Sequence, residues 1–262
     1  MMNTDLTGKH ALVCGASRGI GQASAELLAR LGATVTIVAR NRDRLEQVID
    51  GLDRERSQQH QLVTADFSNP DDVKETFARW LEVTPVEILV NNTGGPPPGP
   101  IAAADGEDFL AGMRAHLLCN QYLAQAALPG MRAAGYGRII NIVSTSVYEP
   151  IPGLGVSNTV RAAVAAWAKT LAGELAPEGF TVNNVLPGFT ATDRLAALIR
   201  GRAEKSGHSE DEVAAGMRAS VPMGRFGDAV EIANAIAFLA SPAAAYITGV
   251  SLAVDGGRLK GL

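Results

Sequence analysis

The 262-residue chain is predicted to be α/β: a single doubly wound domain, with a central parallel sheet of about seven strands and helices on both faces. Three observations predict this. Short apolar runs alternate with helical patterns from end to end. Several runs are continuously apolar, as parallel strands covered on both faces should be. The first run leads straight into a glycine-rich turn, Gly15-Ala-Ser-Arg-Gly19-Ile-Gly21, that opens a helix.

The elements follow in order. A strand at 11–14 ends at Gly15, which permits a tight turn. A helix over 18–31 carries Ala23, Leu27, Leu28 and Leu31 on one face. Gly19 and Gly21 leave room for a diphosphate to approach the backbone and for the helix to pack on the strand. The free N–H groups at that helix start favour an anion. Strands at 34–39, 61–65 and 88–91 alternate with helices over 41–56 and 70–82. Residues 93–100, TGGPPPGP, form a rigid loop rather than a domain boundary. A long helix over 105–134, a strand at 138–143, a helix over 154–176 and a strand at 181–186 come next. A helix over 228–240 and a strand at 251–254 close the pattern. The charge-rich helical segment 191–220 reads as an inserted substrate lid within one domain spanning 1–262; the plainer reading is a surface helix pair.

Composition removes other classes. At 47% hydrophobic and 19% charged, the chain can bury a large core. A net charge of -4 gives no reason to expect nucleic acid or an anionic membrane as partner. Apolar stretches fall short of a bilayer span, and the start, MMNTDLTGKH, lacks a signal-peptide core, so a cytoplasmic protein is expected. Cys14 and Cys119 lie in separate apolar runs and read as buried thiols. His10, His60, His116 and His208 are scattered, so no metal site is expected.

The coenzyme can be read from the second strand. An acidic residue at its end would accept bonds from a ribose 2′-hydroxyl, but Arg40 stands there, and Arg18 lies within the glycine turn. Two guanidinium groups converging on a 2′-phosphate favour NADP(H), with NAD(H) the lesser candidate. The alternative is a pair of solvated arginines. Asp66 after the third strand either accepts from the adenine amino group or caps the nearby helix.

The remaining motifs resemble the short-chain dehydrogenase/reductase family over nearly the whole chain, with bacterial 3-oxoacyl-carrier-protein reductases closest in general pattern. They are Gly15-x3-Gly19-x-Gly21, Asn91-Asn92-Thr93-Gly94, Asn141-Ile-Val-Ser144, Pro187-Gly188-x3-Thr192 and Tyr246-Ile-Thr-Gly249…Asp255-Gly-Gly257. The resemblance implies a Rossmann-like fold and a homotetramer. It implies that Ser17 and Ile20 join the glycine turn, and Phe67 joins Asp66, at the coenzyme. Asn91, Thr93 and Gly94 would pack the inner ribose, with Pro187, Gly188, Thr190 and Thr192 beside the nicotinamide. Ser144 would bond the substrate oxygen.

The chain departs from that family at the catalytic helix. The family carries Tyr-x-x-x-Lys thirteen residues after the serine, and here that position starts Ser157-Asn-Thr-Val-Arg161. The family's helix asparagine aligns on His116, with Asn120 as an alternative if the helix is irregular. The chain resembles a divergent subgroup with a similar Asn-Asn-Thr-Gly-Gly-Pro loop and Ser-Asn-x-x-Arg helix. A serine hydroxyl is a far weaker acid than tyrosine and Arg161 keeps its proton, although Arg161 can still bind ribose hydroxyls. His116 and Tyr148 are candidate replacement acids; the plainer readings are a carbonyl-bonded helix histidine and a pocket-wall aromatic.

Three functions remain open. The first is an NADP(H)-dependent oxidoreductase acting on a carbonyl/alcohol pair, with an altered proton relay. The second binds coenzyme without redox turnover, and the third is a lyase or isomerase on the same fold. The pocket would be framed by residues 96–100, 148–154 and 191–220, which are mostly apolar and suit an apolar small-molecule substrate. Arg194, Arg200 and Arg202 leave an anionic handle open, exposed helix charges being the plainer reading.

Overall fold

The computed structural model describes residues 2–261. Seven parallel strands form one sheet in the order β3-β2-β1-β4-β5-β6-β7. They are β1 His10–Cys14, β2 Thr34–Ala39, β3 Gln61–Thr64, β4 Ile88–Asn91, β5 Arg138–Ile142, β6 Thr181–Pro187 and β7 Ser251–Val254. The helices are α1 Gly19–Arg30, α2 Arg42–Asp50, α3 Pro70–Val83, α4 Gly106–Met113, α5 Cys119–Ala134, α6 Gly155–Leu175, α7 Asp193–Ser206, α8 Glu210–Ala219 and α9 Ala229–Ala240. The predicted doubly wound architecture is correct.

Strand pleating explains why the runs are continuously apolar. Ala11, Val13, Ile88, Val90, Ile140 and Ile142 face one layer, where Leu28 of α1, Leu45 of α2 and Ile236 of α9 pack. Leu12, Cys14, Leu89 and Ile139 face the other, against Phe77 of α3, Met131 of α5 and Ala172 of α6. Each buried side chain of this size contributes about 1.5–3 kcal/mol through loss of apolar surface to water. Burial raises both thiols, Cys119 to about 12, so neither is a thiolate at neutral pH.

One buried feature is polar. Asn91, Asn141, Asn184 and Ser251 lie side by side in register across β4 to β7. Asn91 Nδ2 donates to Asn141 Oδ1 at 2.9 Å, Asn141 Nδ2 to Asn184 Oδ1 at 3.0 Å, and Asn184 Nδ2 to Ser251 Oγ at 3.0 Å. The row ties β4, β5, β6 and β7 together, from the last residue of β4 to the first of β7.

Two boundaries differ from expectation. The predicted helix 41–56 stops at Asp50, where Gly51 closes it. The predicted helix 105–134 is divided by one π turn, Arg114–Leu118, between α4 and α5. Segment 191–220 is a helix pair, α7 and α8, with its own small apolar cluster around Leu195, Ile199 and Met217. Among the described residues, no helix is long and apolar enough to cross a membrane, and no three His, Cys, Asp or Glu side chains group as metal ligands.

Candidate active site

The strand order reverses between β1 and β4, and ligands of such sheets bind outside the strand C-termini at that crevice. The glycine turn lies there. Gly15 has φ +60°, and a Cβ on it would meet the Asn92 backbone oxygen at 2.8 Å. Asn92 Nδ2 also donates to the Gly15 carbonyl at 3.3 Å, tying the β1 and β4 ends together. A Cβ on Gly21 would lie 2.2 Å from the Gly15 carbonyl oxygen, so α1 packs against its own turn.

The start of α1 is fitted for an anion. α2, α3, α4 and α8 have side-chain caps, from Asn41, Asn69, Asp105 and Ser209. Arg18 gives α1 no such cap, and its first turn holds no acid. Its first N–H groups are therefore free of a side-chain acceptor. Ser17 and Ile20 belong to this turn, and Gly94 at the end of β4 faces open space. The residues fit a dinucleotide diphosphate.

The ribose-phosphate end is less symmetrical than expected. Arg40 follows β2 and its charge acts on Asp66, whose carboxyl is held below its ordinary value mainly by the Ser68 backbone N–H. Phe67 beside it is buried. Asp66 therefore shapes the turn before α3, while Asn69 caps that helix. Arg18 donates to Asp193 Oδ2 at 2.9 Å, at the start of α7. This exposed contact links Arg18 to the helix pair. A Cβ on Gly19 would lie 3.2 Å from Thr192 Cγ2, a second approach of α7 to the glycine turn.

The catalytic candidates gather around α6. Ser144 follows β5, and its Oγ accepts from the Ser146 N–H at 3.0 Å. The turn Thr145–Val147 packs on α6, as does the π turn. Ser157, in the first turn of α6, is buried. Arg161 lies one helical turn on, and its Nη1 donates to the Ile142 carbonyl at 2.8 Å. Burial first, and Arg194 second, lower its pKa to about 10. Pro187 ends β6, Gly188 packs against Asp255, and buried Thr190 bonds the Gly188 carbonyl.

His116 sits in the middle of the π turn and is only 2% exposed. A π turn inserts an extra residue per turn and re-aims side chains. Nε2 is buried with no hydrogen-bond partner. Burial first, with Arg161 the next cause, holds the pKa well below the ordinary 6.5, so the ring is neutral. The helix irregularity anticipated for Asn120 exists, but it is centred on His116; Asn120 is buried one turn later. Tyr148 is 59% exposed.

Two arginines enter the site that the spacing of motifs did not mark. Arg194 Nη2 donates to the Pro96 carbonyl at 3.0 Å, and Arg258 Nη1 approaches Thr145 Oγ1 at 3.4 Å while stacking on Phe189. Position 194 was legible as a charge on the inserted segment, but its direction was not.

This fold and ring of strand ends define a nucleotide-binding α/β oxidoreductase, and the chain belongs to the short-chain dehydrogenase/reductase family. The family model for Enoyl-(Acyl carrier protein) reductase matches residues 15–258. The chain is 39% identical to the 3-oxoacyl-(acyl-carrier-protein) reductase FabG of Vibrio cholerae, over 97% of this chain and 98% of that protein. It is 30% identical to the NADPH-dependent reductase BacG of Bacillus subtilis, over 98% of this chain and all of that one. Among solved structures it resembles L-sorbose reductase from Gluconobacter frateurii, complexed with NADPH and L-sorbose, with TM-score 0.91, 31% identity and full coverage of both chains.

Proposed function

We propose that the protein is an NADP(H)-dependent oxidoreductase acting on a carbonyl/alcohol pair, with Ser157 and Arg161 standing where its family carries tyrosine and lysine. The observation that carries this reading is the shared sheet edge. The uncapped start of α1 and the Ser144, Ser157 and Arg161 group both lie at the carboxyl ends of the strands. Relatives described as NADPH-dependent or complexed with NADPH support the coenzyme.

The coenzyme, when bound, supplies or accepts the hydride. The N–H groups of α1 would hold the diphosphate, Arg40 would bind the 2′-phosphate, and Gly94 and Thr93 would line the ribose. The Ser144 and Ser157 hydroxyls orient the substrate oxygen. The buried Arg161 cation keeps the pocket positive, which favours the negative charge that develops during reduction. No tyrosine acid is held there, and buried His116 is not protonated at neutral pH. The proton therefore reaches the product from water through the serine hydroxyls. Without a positioned acid, turnover is slower by about 10²–10⁴ than with one. The α7–α8 pair acts as the substrate lid, joined to the coenzyme turn through Arg18 and Asp193.

The edge strand β7 carries exposed Leu252, and Tyr246 nearby is also exposed, which supports assembly as a homotetramer, measurable by light scattering. The neutral, buried state of His116 favours a second reading, coenzyme binding without turnover. Titrating NADPH fluorescence and then following its consumption over a panel of ketones and oxo acids separates the two. Saturable binding with slow consumption supports the first reading. Binding with no consumption supports the second.

A further inference from the structure

Arg161 and Arg194 come from different helices and meet at one glycine. A Cβ on Gly95 would lie 3.2 Å from Arg194 Nη2 and 3.6 Å from Arg161 Nη2. Each guanidinium is steered there by a backbone carbonyl, Ile142 for Arg161 and Pro96 for Arg194. Ile142 takes Arg161 Nη1 and leaves Nη2 for this point, whereas Pro96 takes one N–H of Arg194 Nη2, the nitrogen nearest the point; neither carbonyl supplies negative charge. Among the described residues neither arginine has a carboxylate within 4.0 Å. The nearby histidine, His116, is buried and neutral, so it neither repels an anion strongly nor neutralises the pair. Asp193, beside Arg194 in sequence, is taken by Arg18. The carboxylate of Glu149 is held by the Lys260 N–H, and that of Asp255 by the Gly257 and Leu259 N–H groups.

Bringing two like charges together without a counter-charge costs free energy, and each lowers the tendency of its neighbour to stay charged. The geometry is one that an oxyanion completes: two forked donors aimed at a common point. A side chain at position 95 would occupy that point, and glycine leaves it free. Beside it, Pro96, Pro97, Pro98, Ala103 and Val156, with Asp108, line a groove of about 120 Å³.

We propose that Arg161 and Arg194 form a receptor for an anionic group of the substrate, a carboxylate or phosphate, with the apolar remainder in the proline-lined groove. The compound reduced is then an oxo acid or an oxo phosphate ester, not a neutral ketone. This rests on the function proposed above for the same site, and it adds the substrate class.

The alternative source of an oxyanion is the coenzyme diphosphate, and the experiment separates the two. NADPH affinity is measured first, by fluorescence titration, for the wild type and for Arg194→Gln. Failure of the wild type to bind NADPH would strike the proposed function, and the receptor would still be tested by titrating the coenzyme-free protein. The protein, saturated with NADP⁺, is then titrated calorimetrically with 3-phenylpropanoate, 3-phenylpropanamide, 2-phenylethyl phosphate and 2-phenylethanol. The expected result is at least one anion binding about tenfold or more tighter than its neutral counterpart, as charge-assisted bonds require. Arg194→Gln is expected to weaken that anion about tenfold while changing NADPH affinity less than twofold. Arg161→Lys, which keeps charge but loses the fork, is expected to weaken it by a smaller factor. Equal affinity for anions and neutral counterparts, or no binding of any, overturns the proposal. So does an Arg194→Gln variant that loses NADPH affinity and keeps the anion, which would give the arginine to the diphosphate.

Discussion

Asn141 stands second in the row of polar side chains crossing the sheet, and its removal has a magnitude that can be worked from the contacts. Asn141→Ala deletes the 2.9 Å bond from Asn91 and the 3.0 Å bond to Asn184. Both partners remain buried, Asn91 1% and Asn184 3% exposed, so water cannot replace the lost contacts without entering the core. Asn91 Oδ1 already lacks a partner, so the variant leaves that whole amide unbonded. Each buried group left unsatisfied costs about 1–3 kcal/mol, so the two together cost roughly 2–6 kcal/mol before any cavity is counted. For a chain of this size 1 kcal/mol moves Tm by about 2–4 °C, which predicts a fall of roughly 4–24 °C. Ser251→Ala, at the end of the row, leaves one buried group, Asn184 Nδ2, without its partner and is expected to cost about 1–3 kcal/mol. Differential scanning calorimetry on both variants tests this. A Tm loss for Asn141→Ala no larger than for Ser251→Ala would refute the idea that the row acts as a connected, buried unit.

Other outcomes follow from the same geometry. Gly21→Ala forces a Cβ to within 2.2 Å of the Gly15 carbonyl and is expected to abolish NADPH binding, with a lower Tm in calorimetry. Arg40→Ser is expected to weaken NADPH by roughly 10- to 100-fold, the value of a charge-assisted contact, and to leave NADH nearly unchanged in parallel titrations. Asp193→Asn releases an exposed ion pair worth less than about 1 kcal/mol, so Tm holds while NADPH binds more tightly as Arg18 is freed. Burial lowers the pKa of His10 to about 4, so protonation favours the unfolded chain, where the value is 6.5. Stability is therefore full above pH 6.5 and falls as pH drops from 6.5 toward 4; His10→Gln is expected to flatten that slope in thermal melts at stepped pH.

Much of the fold was legible because its determinants are local. The inner strands could be read from their apolar runs since both faces of each are covered, and the Gly15 to Gly21 turn carried its context with it. The π turn was not legible, because the apolar pattern of 105–134 runs on through it, and it packs against α6, which lies far along the chain. The asparagine row needed the strand order before Asn91, Asn141 and Asn184 became neighbours. Arg18 meets a partner 175 residues away, and the meeting of Arg161 with Arg194 depends on how α7 lies over the loop after β4. Site chemistry that depends on long-range juxtaposition leaves little trace in spacing.

Calorimetric titration of the purified protein with NADPH, and in parallel with NADH, bears most directly on the whole account. It is expected to give saturable heat for NADPH and a markedly weaker signal for NADH. An absence of saturable heat with both would contradict the assignment of the glycine turn as a dinucleotide site, and with it the roles given to Ser144, Ser157 and Arg161.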